Sequence, residues 1–164
     1  MKGSRRKMKT HINALLEKAY GYRKEGKYNE ALAALNEAIL SPDITVLAFA
    51  YWERGRVYEC IEKYDMALSD INEAVNLEPD LMDCILYDRI SIYQKMGEYA
   101  LAIRDYTLCV HFFESQPKTG EVYHFICNIL EKRGNLYAII GDLEKAKADY
   151  DKAAQIKGLL SAMP

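Results

Sequence analysis

Between its few breakers the chain is a succession of stretches in which apolar residues return every third or fourth position, the period of a helix with one buried face. Only four prolines and nine glycines interrupt these stretches, so the pattern predicts an almost wholly α-helical protein. The pattern also repeats along the chain. Tyr22, Tyr58, Tyr93 and Tyr137 are separated by 36, 35 and 44 residues. Ala31, Ala67, Ala102 and Ala146 keep the same gaps, as do Tyr28, Tyr64, Tyr99 and Leu143, and Ala38, Ala74, Cys109 and Ala153. Four rows in one register mean four copies of one supersecondary unit.

Each copy reads as two helices joined by a turn, such as Lys24 to Tyr28 or Met96 to Tyr99. Small residues at Ala19, Gly55 and Gly134, facing Ala31, Ala67 and Ala146, let two antiparallel helices approach closely, and tyrosines fill the wider space beside them. This small-and-aromatic pattern resembles the tetratricopeptide repeat family, most fully in the second copy: Tyr51, Gly55, Tyr58, Tyr64, Ala67, Ala74 and Pro79, with Asp80 and Asp83 placed to cap the next helix. Arg54, Arg89 and Lys18 stand where that family prefers leucine, Ile90 replaces a small residue, and Pro42 falls one place early.

The resemblance implies an all-α, right-handed α-solenoid of four helix-turn-helix repeats, over about 12–45, 48–81, 83–116 and 127–160, in a single array spanning 12–160. A basic, flexible N-terminal tail (1–11) and a short C-terminal tail (161–164) flank it. The wide third gap predicts an inserted hairpin extension at about 113–126, broken by Pro117 and Gly120, in which Phe112, Phe113, Tyr123 and Phe125 pack together as a secondary patch. Leu32, Leu68 and Ile103 are replaced by Lys147 in the fourth copy, and Lys145, Asp149, Asp151 and Lys152 add polarity. The fourth copy is therefore expected to close the array with a polar outer face.

Charge narrows the partners. Lys2, Arg5, Arg6, Lys7 and Lys9 concentrate in the first eleven residues, which leaves 17 basic against 24 acidic residues from Ile12 onward. Phosphate binding needs a concentrated basic surface, so the body is expected not to bind nucleic acid. The longest apolar run, Ile44 to Trp52, is far short of the roughly 20 residues of a membrane crossing. Cys60, Cys84, Cys109 and Cys127 form no close pair, which fits a reducing cytoplasm.

Enzyme signatures are weak. Gly21 to Lys27 matches the spacing of a P-loop, but Tyr28 replaces the magnesium-binding Ser or Thr and no strand precedes it. His11, His111 and His124 show no ligand spacing. The expectation is no catalysis, no metal and no cofactor.

In the family the first helix of each repeat lines a concave groove. The corresponding stripe is Asn13, Leu16, Tyr20, Arg23; then Phe49, Trp52, Arg56, Glu59; then Cys84, Tyr87, Ser91, Gln94; then Asn128, Glu131, Asn135, Ala138. Leu16, Tyr20, Phe49, Trp52 and Tyr87 beside Arg23 and Arg56, with Ser91 and Asn135, form the expected partner-binding groove, since Tyr, Trp and Arg are common interface anchors. Packing of these rings on a neighbouring helix is the competing reading. The Lys, Asn and Arg clamp with which some family members hold acidic chaperone tails is missing here. The resemblance thus implies a non-catalytic cytoplasmic scaffold or adaptor that binds a protein or peptide. A chaperone for a secreted or assembling subunit and a self-assembling module, hence a homo-oligomer, are the alternatives.

Overall fold

The computed structural model describes the backbone of residues 2–79 and 82–161 and the side chains of 12–79 and 85–161. It holds eight helices and no strand among the described residues: α1 (Lys2–Lys24), α2 (Tyr28–Ala38), α3 (Ile44–Cys60), α4 (Tyr64–Leu77), α5 (Met82–Met96), α6 (Tyr99–Ser115), α7 (Gly120–Ile139) and α8 (Leu143–Ser161). These are four helical hairpins in chain order. They group into two compact units, Met1–Asp88 and Arg89–Pro164.

The turns between the first helix (A) and the second helix (B) of the four hairpins are one motif. Each A helix closes with a main-chain bond six residues wide: Lys27 N–H to Tyr22 O, Lys63 to Tyr58, Glu98 to Tyr93 and Asp142 to Tyr137. The tyrosine row thus marks the carbonyl that a left-handed residue turns back upon. That residue is Gly26, Gly97 and Gly141 in three copies, at φ 74°, 76° and 83°. In the second copy it is Glu62, at φ 58°. A side chain in that conformation is strained, so Glu62→Gly should stabilise the protein by about 0.5–1 kcal/mol, read as a higher melting temperature by circular dichroism. A lower one would show that the Glu62 side chain contributes more than its strain costs.

In the first unit, Ile12, Leu15, Ala19, Ala31, Ala34, Leu35, Ala38, Val46, Ala50 and Val57 form the core, and Leu16, Tyr22, Tyr28, Leu32 and Ile39 pack around it. At Gly55 α3 lies close against α4. A Cβ there would lie 2.8 Å from Ile71 Cγ1 and 3.1 Å from the Ala67 carbonyl oxygen. In the second unit α6 packs on α7 and α7 on α8. Ile126, Ile129 and Leu130 are almost wholly buried there.

Several expectations change. The helix begins at Lys2, so the backbone of the basic segment is continuous with the first repeat instead of forming a separate flexible tail. Lys, Arg and Met are good helix formers, which suits this. Asp80 lies outside the described residues, as do the Asp83, Cys84 and His11 side chains. Of Tyr22, Tyr28, Tyr51, Tyr58, Tyr64, Tyr93, Tyr99, Tyr106, Tyr137 and Tyr150, expected at core positions of the repeats, only Tyr93 and Tyr106 are buried, and Tyr150 is 39% exposed. Alanine fills the helix crossings, and most of these tyrosines sit half-buried at their margin. Asp149 is buried and not part of a polar outer face.

The reason is a second periodic feature. Arg54 binds Asp70, Arg89 binds Asp105 and Arg133 binds Asp149, each through two parallel hydrogen bonds of 2.6–2.9 Å. Each arginine lies on an A helix and its aspartate on the following B helix. In the first copy the same places hold Lys18 and Ala34, and no such pair forms. The arginines that depart from the leucine preference of the family are therefore structural fasteners.

Burial also separates the thiols. Cys60 is exposed, whereas Cys109 and Cys127 are buried. Burial pushes the Cys127 thiol up, with Lys157 pulling it back in part, and the thiol donates to the Ala153 carbonyl. A chromogenic disulfide reagent should label Cys60 at least tenfold faster than Cys109 or Cys127, as resolved by peptide mass spectrometry. Equal rates would mean that α7 and α8 separate readily.

Candidate functional site

In the first unit, α1 and α3 lie side by side and bring the expected groove residues together. The apolar spacing that buries Leu15 and Ala19 leaves Leu16 half-buried and Tyr20 50% exposed on the same helix. Phe49 on α3 is 38% exposed. These three, with Glu17 and Glu53, line an open cavity of ≈ 330 Å³. That is the small end of the roughly 300–1,000 Å³ typical of ligand pockets, with room for about one large side chain.

Arg23 and Arg56 of the stripe both have carboxylate partners within the chain. Arg23 bonds Glu53 through Nε, its side chain only 9% exposed, and its guanidinium lies 5.4 Å from the Tyr20 ring. Arg56 reaches the other Glu53 oxygen at 3.3 Å and Asp88 at 3.6 Å. The Trp52 indole N–H donates to Asp88 at 2.6 Å, with the Phe49 ring 5.8 Å away and Arg56 over its face. Two arginines, one glutamate and one aspartate thus form one network joining α1, α3 and the start of α5. Arg23 Nη2 is buried and finds no acceptor among the described residues.

Leu16, Tyr20, Phe49, Trp52, Arg23 and Arg56 therefore converge on this face. The structure assigns Trp52 an internal partner as well as a partly open ring. Tyr87 is half-buried on α5 next to Asp88. Ser91 and Asn135 belong to the second unit, where Asn135 accepts the Tyr150 hydroxyl at 2.8 Å. Glu17, Glu53 and Asp88 escaped the sequence reading. Glu53 carried a signal, since it lies four residues after Phe49 on α3, beside the predicted stripe.

The secondary patch forms around the turn between α6 and α7. Phe113 stacks on Phe125 with centroids 5.1 Å apart and meets Phe112 edge-on at 5.2 Å. Tyr123 is half-buried nearby in sequence on α7. Lys152 bonds Glu114, and that hydrogen bond holds the Glu114 carboxyl below its usual range. His111 and His124 are exposed. The P-loop-like segment Gly21 to Lys27 spans the last turn of α1 and the bend after it. No described helix is long and apolar enough to cross a membrane.

The tetratricopeptide repeat model matches residues 50–81 and 128–158, the second and fourth hairpins. The photosystem I assembly protein Ycf3 of Cuscuta gronovii is 31% identical over 110 residues, covering 66% of this chain and 64% of Ycf3. Among solved structures, MamA superposes with a TM-score of 0.72 at 22% identity, over 93% of this chain and 82% of MamA. The first repeat domain of Spaghetti (RPAP3), bound to the HSP90 peptide SRMEEVD, superposes at 0.57 with 23% identity, over 73% of this chain and 93% of that domain. The chain spans from 13% to about two thirds of the length of the curated relatives it matches. Register of four residue rows, the shared turn, the hairpin architecture and these likenesses agree: the chain belongs to the tetratricopeptide repeat family.

Proposed function

We propose that this protein is a non-catalytic interaction module that holds a peptide segment of a partner on the α1–α3 face. The observation that carries the reading is the half-open apolar cavity of Leu16, Tyr20 and Phe49, beside the single tryptophan. Exposed aromatic side chains clustered over a concavity give an incoming side chain apolar surface to bury, the arrangement that concentrates binding energy. The RPAP3 domain with its bound peptide supports peptide holding as a use of such a fold. The Ycf3 likeness favours one version of this role, in which the bound segment belongs to a subunit awaiting assembly.

The test is affinity capture with the wild-type chain beside a Trp52→Ala, Tyr87→Ala double variant whose helical content is checked first. A partner retained by the wild type and lost from the folded variant supports the groove. An identical set from both would move attention to Phe112, Phe113, Tyr123 and Phe125. Capture of copies of the same chain alone would favour the self-assembling reading.

A further inference from the structure

The charge distribution of the α1–α3 face specifies the occupant more closely than its shape does. A groove that recognises acidic peptides needs cations with free hydrogen-bonding capacity facing the ligand. Here Arg23 gives its Nε to Glu53, its Nη2, which lacks an acceptor among the described residues, is buried and does not face a ligand, and Arg56 is held between Glu53 and Asp88. The four charges of this network sum to zero. An incoming carboxylate would have to displace Glu53 or Asp88 from a partly buried pair, at a cost its own pairing only replaces.

The remaining charge at the cavity is negative. Glu17 is exposed, lines the cavity directly, and forms no ion pair among the described residues. Lys18 follows Glu17 on α1, and Lys24 Nζ stands 5.6 Å from the Tyr20 centroid, but neither lysine lines the cavity. An occupant therefore meets an apolar floor with an acidic side chain at its rim.

Resting on the peptide-holding reading above, we infer that this site takes a segment that inserts one bulky apolar side chain between Leu16, Tyr20 and Phe49 and sets a lysine or arginine against Glu17. Acidic segments are refused. The cavity supplies affinity through buried apolar area, and Glu17 supplies the sign preference.

Three synthetic peptides test this with the intact protein: a leucine-bearing sequence flanked by lysines, the same sequence flanked by glutamates, and the acidic heptapeptide SRMEEVD. Trp52 is the single tryptophan and lies against Phe49, so its fluorescence reports occupancy, with calorimetry as a second readout. The lysine-flanked peptide should bind about tenfold tighter than the glutamate-flanked one in low salt, because the swap exchanges a surface attraction for a repulsion. Glu17→Gln, a change at an exposed position, should bring the two close to parity. Glu53→Gln, with its folding verified, should raise affinity for the glutamate-flanked peptide by releasing Arg23 and Arg56.

Equal or tighter binding of the glutamate-flanked peptide or of SRMEEVD would overturn the charge assignment while leaving the groove in place. A lysine preference that survives Glu17→Gln would overturn it too. If none of the three peptides changes the fluorescence or releases heat, the peptide-holding reading falls together with it.

Discussion

Asp105→Ala should destabilise the second unit by about 3–5 kcal/mol, lowering its melting temperature by roughly 10 °C, more than any surface change in the chain. The Asp105 side chain is fully buried and receives both Nε and Nη2 of Arg89 at 2.6 and 2.9 Å. The Arg89 side chain is only 14% exposed. Removing the carboxylate takes both of these charge-assisted bonds from a guanidinium that water reaches poorly, and Arg104, 59% exposed and 3.6 Å from Asp105, cannot substitute because it carries the same sign as Arg89. Taking away both partners together should cost far less. The double variant Arg89→Leu, Asp105→Ala should therefore recover most of the lost stability in thermal melts followed at 222 nm. If the double variant melts no higher than Asp105→Ala, packing around Asp105 and not the ion pair accounts for the loss.

Trp52→Ala should weaken peptide binding by about 2 kcal/mol or more, close to thirtyfold, while leaving helical content nearly unchanged. The expectation rests on the two sides of the residue. Its ring continues the apolar surface begun by Phe49, and so adds area to what an occupant buries. Its indole N–H ties α3 to Asp88, but Asp88 keeps Arg56 as a partner when the indole is gone. The fold therefore loses one hydrogen bond without leaving an unpaired buried charge. Titration calorimetry with the lysine-flanked peptide measures the first effect and circular dichroism the second. Trp52→Phe separates them further, since it keeps a ring and removes only the donor. A collapse of the helical signal in Trp52→Ala would assign the residue to the core and remove it from the binding face.

The neutral network around Glu53 changes what the arginines of the groove mean. Read as side chains in a stripe, Arg23 and Arg56 look like anchors for a ligand. Each has its charge answered within the chain, and their role is to hold α1, α3 and α5 in place behind the cavity. Affinity then comes from apolar contact, and selectivity from the carboxylate of Glu17.

The sequence by itself determined the secondary structure, the number of hairpins, their register and the face of each A helix that would lie beside the core. It could do so because helical period, small residues at crossings and the turn after each tyrosine are local or strictly repeated properties, legible along one dimension. The arginine and aspartate rows recur equally regularly, at gaps of 35 and 44 residues, but an arginine in a leucine position has a meaning only beside its partner on the next helix. Which tyrosines are buried, that Asp149 is inside, that Arg23 and Arg56 are already paired and that Glu17 has no ion pair among the described residues, only the tertiary structure decided. Those properties depend on distances between residues about 16 to 35 apart in the chain, where a shift of a few ångströms separates a bonded charge from an available one.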